Sequence, residues 1–269
     1  MTTVASETPV KGSFRGVSDL PLVGRQVYFE QLSFWLNPVG AAITVGFSVV
    51  FVVIFLSTSG HSTVSFLKHI NLGQYYLPAF VAYGIMAACF NILSITLVNR
   101  REMGLLKRLR LSPLPTWMLL AAVFLSTMII AAIQIILVLL VGWLGYSIHG
   151  PHDVPEFILV LLVGMFCFTA LGVGVSTVVP NADAAGPIVS LVFFILIALS
   201  GLYFPVKSGS GLATFTDFFP IRHLILATVN TFNATPGTSP WNDIGVMLVW
   251  GAVGVWLSLR RWDWSPKRG

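Results

Sequence analysis

Long apolar runs separated by short polar segments make up most of this chain. Six of the runs are long enough to cross a bilayer as helices, which takes about 20 apolar residues. They cover residues 38–56, 76–98, 114–145, 157–179, 187–205 and 242–259. Because lipid offers no partner for the polar groups of irregular backbone, the pattern predicts an all-α integral membrane protein with six transmembrane helices.

Two segments outside these runs carry weaker helical patterns. Residues 18–37 place polar residues opposite apolar ones at helical spacing, which predicts an amphipathic helix in the membrane interface, after a polar, disordered tail at 1–17. This helix serves either as an elbow that docks on a cytoplasmic partner or as a plain membrane anchor. Between the last two spans, the apolar stretch 215–232 is interrupted by Pro220 and carries Arg222, which favours a short re-entrant or surface hairpin on the extracellular side.

Lys and Arg are concentrated in alternate connections. Most of the 15 Lys and Arg residues lie before the first span, between the second and third spans, or after the last span, whereas residues 146–156 contain none. Positively charged connections stay in the cytoplasm, and an even number of spans returns the chain to the side where it began. We therefore expect both termini to be cytoplasmic, with residues 260–269 forming a basic tail.

The composition excludes several classes of protein. Charged residues make up 9% of the chain and hydrophobic residues 56%, against about 25% charged residues in soluble domains. The net charge of +5 comes from cations beside the spans and indicates no nucleic-acid partner. Both cysteines, Cys89 and Cys167, fall inside apolar runs, where a thiol packs as an ordinary hydrophobe. No disulfide, metal or cofactor framework is expected in this chain.

The spans also lack the residues of a self-powered pump or an enzyme. No Asp, Glu, Lys, Arg or His lies well inside any predicted span, although ion-coupled transporters depend on such residues. The sequence has no phosphate-binding loop for ATP, and no nucleophile elbow, zinc pair or pair of carboxylates indicates a catalytic site. We therefore expect a non-catalytic subunit, with any ATP hydrolysis taking place in a partner.

The connection between the second and third spans has the most distinctive sequence. Residues 100–111 combine cations with leucines and stop at Pro113 and Pro115, which predicts a helix lying flat at the cytoplasmic surface. Attraction to anionic lipid explains the cations of this helix. It leaves Glu102, Gly104 and the abrupt proline stop unexplained.

Three short motifs resemble a known family. The run REMG at 101–104, followed by SPL at 112–114, resembles the cytoplasmic coupling segment of type-2 ABC exporter permeases. The run LSGLYFP at 199–205 is similar to the Ser-Gly-x-x-x-Pro ending of that family's fifth span, and FFPIRH at 218–223 to the segment before its last span. The branch that the chain most resembles contains the daunorubicin-resistance and multidrug efflux permeases of actinobacteria.

The resemblance implies an assembly in the bacterial plasma (inner) membrane. Residues 38–259 would form the permease domain, which pairs with a second permease, identical or homologous. Two cytoplasmic ATP-binding cassette subunits would hold the ATP and Mg. The coupling helix would insert into a groove on each ATPase through Arg100, Arg101, Glu102, Gly104, Leu105 and Arg108. A smaller cytoplasmic contact would involve Asn181 and Asp183.

The resemblance also implies a translocation pathway between the permeases, lined by the second and fifth spans. Its candidate residues in this sequence are Phe90, Asn91, Ser94, Phe193, Phe194 and Ser200. Aromatic and weakly polar surfaces suit amphiphilic drugs, antibiotics or lipids, although helix packing in lipid uses the same residue types. Export of a polysaccharide or a cell-wall precursor is the alternative cargo, and a non-transporting membrane scaffold is the alternative function.

Overall fold

The computed structural model describes residues 19–59, 71–104, 116–202, 215–233 and 238–261, and the regular structure within these ranges is helical. In chain order the elements are α1 (Asp19–Trp35), α2 (Pro38–Ser59), α3 (Leu72–Met86), a π-helical segment (Ala87–Ile92), α4 (Leu93–Glu102), α5 (Thr116–Tyr146), α6 (Val154–Val178), α7 (Ala182–Leu199), α8 (Pro220–Asn233) and α9 (Trp241–Arg261).

Six helices of this set are long and apolar enough to cross a membrane. They are α2, the continuous helix of α3, the π-helical segment and α4, then α5, α6, α7 and α9. We number them as the first to sixth spans. The prediction of an all-helical, multi-pass membrane protein with six spans is therefore confirmed, and each predicted span overlaps one of these helices.

The fifth span differs most from its predicted limits, because it begins at Ala182 instead of residue 187. Its start is fixed by Asn181, whose side-chain oxygen accepts a hydrogen bond from the Ala184 N–H at 2.9 Å, as a helix N-cap does. At the other end, Gly201 adopts a positive φ of 81° and the helix stops. The cap and the glycine, rather than the apolar run, set the limits of this helix.

The end of the second span corrects a second prediction. We expected residues 100–111 to form one surface helix, but Arg100, Arg101 and Glu102 form the last turn of the second span. Gly104 then adopts a φ of +66°, the left-handed conformation in which glycine commonly ends a helix. Residues 105–115, which include Leu105 and Arg108, lie outside the described residues.

The second span lies at the centre of the bundle. In its most apolar stretch 72% of the residues are buried, against 56% for the fourth span and 22% to 33% for the other four. An aromatic cluster joins it to its neighbours: Phe55 of the first span lies 5.1 Å from the rings of Tyr76 and Phe80. On the other side, Tyr83 contacts Phe193 of the fifth span at 5.7 Å.

Two glycines let the fourth span approach its neighbours closely. A Cβ atom on Gly172 would lie 2.6 Å from the backbone oxygen of Cys89 in the second span. A Cβ atom on Gly254 of the sixth span would lie 2.6 Å from the backbone carbon of Ala170. Successive residues of the sixth span contact the fourth span in the same order, so these two helices run parallel and end at the same face of the bundle.

The close contact at Gly254 predicts a selective loss of stability in Gly254→Val. Because the neighbouring atoms belong to backbone and cannot rotate away, the added side chain should cost about 1–3 kcal/mol. Thermal unfolding of the purified chain in detergent measures this loss. Gly46→Val is the matched control, since a Cβ atom at Gly46 meets nothing within 4 Å. Equal unfolding temperatures for the two variants would contradict the packing described here.

Candidate functional site

Arg101 joins the end of the second span to the end of the fourth. Its side chain is buried, with only 4% of the residue exposed. Nη1 donates to the Ser176 carbonyl at 3.1 Å, and Nη2 donates to the carbonyls of Val179 and Pro180 at 2.8 and 3.1 Å. These carbonyls lie at the C-terminus of the fourth span, where a helix leaves carbonyl oxygens unpaired and carries partial negative charge. The guanidinium of Arg101 donates hydrogen bonds to these oxygens, and its positive charge offsets the partial negative charge of the helix end.

Glu102 completes the surroundings of this guanidinium. The Nε of Arg101 donates to Oε1 of Glu102 at 3.1 Å, so four of the five N–H donors of the arginine are paired. A buried charge is tolerated when it is both paired and hydrogen-bonded. Arg101 and Glu102 therefore form an ion pair at the end of the second span, and their contact with a partner stays a prediction.

Arg100 binds the N-terminal helix α1. Its Nη1 and Nη2 donate to Oε1 and Oε2 of Glu30 at 2.8 and 2.6 Å, a bidentate pair between residues 70 positions apart. The two side chains are only 20% and 12% exposed. Beside them, Nε2 of Gln31 donates to the carbonyl and the hydroxyl of Ser126 in the third span. We call Glu30, Arg100, Arg101 and Glu102 the basic junction.

The orientation of α1 follows from these contacts. Glu30 faces the bundle, while Tyr28, Leu32, Trp35 and Leu36 are exposed along the outer side. The sequence predicted an amphipathic helix here, but not that Glu30 pairs with Arg100. The available signal was the position of Glu30 within the polar stripe of the helix, opposite the leucines and aromatic rings.

The residues of the predicted second contact lie beside the junction. Asn181 caps the fifth span through Ala184, and Asp183 is exposed in the first turn of that helix. The carbonyl of Pro180, the residue before Asn181, is a ligand of Arg101. The structure therefore brings the two predicted contact segments together at one end of the bundle. Their binding to an ATPase stays a prediction.

Two of the six candidate pathway residues lie in the π-helical segment of the second span. π-Helical turns are rare and are frequent at functional sites. Phe90 is buried there, and the side-chain oxygen of Asn91 is buried without a hydrogen-bond partner among the described residues. This carbonyl oxygen is therefore available to a partner or ligand only if the helices around it move apart.

The other four candidates differ in exposure. The Ser94 hydroxyl lies 2.6 and 2.9 Å from the carbonyl oxygens of Phe90 and Gly172, which share its single proton, and it so joins the second and fourth spans. Ser200 donates to the carbonyl of its own helix at Ile197. Phe193 is buried, whereas Phe194 is 63% exposed. Within one chain these side chains do not line a common open surface, because most of them are buried. Their place in a translocation pathway stays a prediction.

A second polar cluster, which sequence reasoning did not find, joins α8 to the sixth span. Nδ1 of His223 lies 2.6 Å from Oδ1 of Asp243, and Nε2 lies 2.6 Å from the carbonyl oxygen of Asp217. An ionised carboxylate and a carbonyl oxygen both accept hydrogen bonds, and the imidazolium form of His223 can donate to both at once. Arg222, which is buried, pairs with the carboxylate of Asp217.

The pKa of His223 reflects this environment. Burial lowers the pKa, but the hydrogen bonds to Asp243 and to the Asp217 carbonyl, together with the charges of both carboxylates, outweigh burial. The net effect raises the pKa above the ordinary value of 6.5. The contact between His223 and Asp243 therefore stabilises the fold most at pH values below 6.5.

A bundle of six apolar helices, with ion pairs near the ends of its spans, defines a multi-pass membrane protein. A family model for ABC-2 family transporter proteins matches residues 54–260. The match covers more than half of the chain, and the chain therefore belongs to the ABC-2 family of transporter proteins.

Two relatives illustrate the family. The chain is 24% identical over 177 residues to the probable multidrug ABC transporter permease YbhR of Escherichia coli strain K12, a match that covers 65% of this chain and 48% of YbhR. It is 29% identical over 188 residues to the putative transport permease YvfS of Bacillus subtilis strain 168, covering 68% of this chain and 75% of YvfS. The chain thus spans about half the length of the first relative.

The His223–Asp243 contact predicts a pH-dependent stability. Since the folded pKa lies above the unfolded value, the contribution is complete below pH 6.5 and is lost as the pH rises through the folded pKa. We expect His223→Gln to lower the unfolding temperature of the purified chain at about pH 6 and to have less effect at about pH 9. His152→Gln, at an exposed histidine, should change little at either pH. An effect of His223→Gln that grows with pH would show the wrong sign.

Proposed function

We propose that this chain is the permease subunit of an ATP-driven exporter that moves amphiphilic drugs, antibiotics or lipids out of a bacterial cell. Membership of the ABC-2 family supports an ATP-binding cassette partner. The similarity to a protein named as a multidrug permease supports an amphiphilic cargo, and the resemblance to daunorubicin-resistance permeases points the same way. The exporter lies in the plasma membrane, with both termini of this chain in the cytoplasm.

The proposed complex contains two ATPase subunits and two permeases. ATP and Mg bind in the ATPases, and the second permease is a copy or a homologue of this chain. In this proposal the permeases meet along the fifth span, where four large apolar side chains are exposed: Ile188, Leu191, Phe194 and Ile195. Cargo moves between the permeases, where the second and fifth spans contribute the candidate pathway residues. The segment around α8 forms a re-entrant hairpin at the extracellular side.

The basic junction is the observation that carries this proposal. Arg100 holds α1 and Arg101 holds the end of the fourth span, immediately before the segment 105–115 that resembles a coupling helix. A displacement of that segment is therefore transmitted to three helices: α1, the second span and the fourth span. In this mechanism Arg100 and Arg101 are positioning residues. Met103, which is 75% exposed, Glu102, Leu105 and Arg108 contact the ATPase.

Substitution of the coupling residues tests the proposal. The tagged chain is purified with its ATP-binding partner, and ATPase binding and cargo-stimulated ATP hydrolysis are measured. We expect Glu102→Ala and Arg108→Ala each to weaken ATPase binding by about tenfold, because a hydrogen bond to a charged group contributes about 1.5–3 kcal/mol. Cargo-stimulated hydrolysis should fall with binding.

Arg260→Ala provides the matched control for charge. Arg260 lies in the last turn of the sixth span, where it stacks on Trp256 at 4.7 Å, and that span ends at the same face as the fourth. Its loss should leave ATPase binding unchanged. The unfolding temperature of each variant separates weak coupling from poor folding. If Glu102→Ala and Arg108→Ala both bind the ATPase and export cargo normally, segment 105–115 is not the coupling helix.

A further inference from the structure

A cavity of about 460 Å³ lies between α1 and the first three spans. We infer that it is a binding site for an amphiphile whose head group is uncharged and forms hydrogen bonds. Its volume falls within the range of about 300–1,000 Å³ that is usual for small-molecule pockets. The site does not depend on the proposed exporter function, since it is formed within a single chain.

The cavity runs along a long stretch of the second span. Its lining includes Met103 at one end and Ala88 at the other, a separation of about four helical turns, or about 22 Å. Its opposite walls come from Ser33 and Asn37 at the end of α1, Thr44 of the first span, and Thr127 of the third. An elongated ligand therefore fits better than a compact one.

Polar side chains without partners supply the hydrogen bonds for a head group. Ser33, Thr96 and Asn99 line the cavity and make no side-chain hydrogen bond within the part of the chain that the structure describes. Thr44 and Thr127 donate to the carbonyls of their own helices at 2.7 and 2.9 Å, which leaves their oxygens free to accept. A hydroxyl-bearing head group can use both kinds of group.

The charge of the cavity selects against ionic ligands. Glu30 and Arg100 are the charged residues of the lining among the described residues, and they neutralise each other through two hydrogen bonds. An anionic or cationic head group would have to break that bidentate pair and leave one of its members unpaired in a partly buried site, which is costly. An uncharged head group leaves the pair intact.

The apolar part of the lining supplies the surface for a hydrocarbon chain. It includes Phe34, Ala41, Ile92, Leu93, Val123 and Ile130. One turn beyond Ile130 lies Gln134, which donates to the Ser48 hydroxyl of the first span. The Oε1 atom of Gln134 is buried and has no partner among the described residues. The contact between the first and third spans therefore still contains polar side chains one turn beyond the cavity.

This site is separate from the predicted translocation pathway. None of the six candidate pathway residues lines the cavity. Two sources could supply the ligand, because an uncharged membrane lipid and an uncharged transported amphiphile have the same chemistry. The Glu30–Arg100 pair borders the cavity, so a bound amphiphile would lie directly against the contact that holds α1 to the second span.

Photolabelling of the full chain in nanodiscs tests the site. The probes are a diazirine-bearing diacylglycerol, a diazirine-bearing phosphatidylglycerol with the same acyl chains, and a water-soluble short-chain monoacylglycerol carrying the same group. Mass spectrometry compares labelling of the cavity residues with labelling of Ile43 and Phe47, which are exposed on the first span. We call the labelling of the cavity residues divided by that of Ile43 and Phe47 the cavity ratio. This division corrects for the labelling that any membrane-facing helix receives.

We expect the diacylglycerol to give a cavity ratio about fivefold above that of the anionic phosphatidylglycerol, because an anionic head group would leave a charge unpaired in a partly buried site. Labelling by the diacylglycerol alone identifies a resident membrane lipid. Additional labelling by the short-chain probe identifies a ligand that also enters from water. Equal ratios for the uncharged and anionic lipids, or no cavity labelling by any probe, would overturn the inference.

Two variants separate binding from folding. Thr96→Phe places an aromatic ring in the space that the ligand would occupy. Because two groups cannot fill the same volume, this variant should reduce the cavity ratio by about fivefold or more. Asn99→Leu removes a polar group with little change of volume and should lower the same ratio. Thr58→Phe is the control, since Thr58 is exposed near the opposite end of the first span. Retained cavity labelling in both Thr96→Phe and Asn99→Leu would also overturn the inference.

Discussion

Arg101 donates hydrogen bonds to the backbone carbonyls at the end of the fourth span. The rest of the structure depends on this interaction. Ser176 and Val179 are buried at the end of the fourth span, and a helix C-terminus leaves carbonyl oxygens without intrahelical partners, which is costly where they are buried. In this protein the guanidinium of Arg101 donates to the carbonyls of both residues and to that of Pro180. The fourth span therefore cannot end as it does unless the second span lies beside it.

The surrounding contacts extend this constraint through the bundle. Gly172 brings the backbone of the fourth span against the π-helical segment of the second, and Ser94 joins the same two helices by a hydrogen bond. The Arg100–Glu30 pair adds α1, and Gln31 adds the third span. Several helices thus meet where the second span ends, so a displacement at that point has to be shared among them.

Hydropathy predicted the number and the approximate limits of the spans, because lipid imposes length and composition on every helix that crosses it. It could not predict where the second span ends, because that end depends on the left-handed backbone of Gly104. The start of the fifth span similarly depends on Asn181, a polar residue outside the apolar run. Local caps override the apolar pattern at both places.

The candidate site was predictable only in part. The cations and Glu102 stand out in the sequence. The partners of Arg101 are mostly backbone carbonyls, which every residue has, so the sequence does not show which residues supply them. The Arg100–Glu30 pair joins residues 70 positions apart, and only the tertiary structure selects that carboxylate. The cavity beside α1 was invisible for the same reason, since four separate segments form it.

Hydrogen exchange in Arg101→Lys tests the central claim most directly. Lysine keeps the charge but lacks the planar set of donors that reaches several carbonyls, so the last turn of the fourth span should open more often. We expect the amides of residues 175–178 to exchange about tenfold faster than in the parent chain, with the last turn of the sixth span unchanged. Unchanged exchange at 175–178 would contradict the claim that Arg101 holds the end of the fourth span.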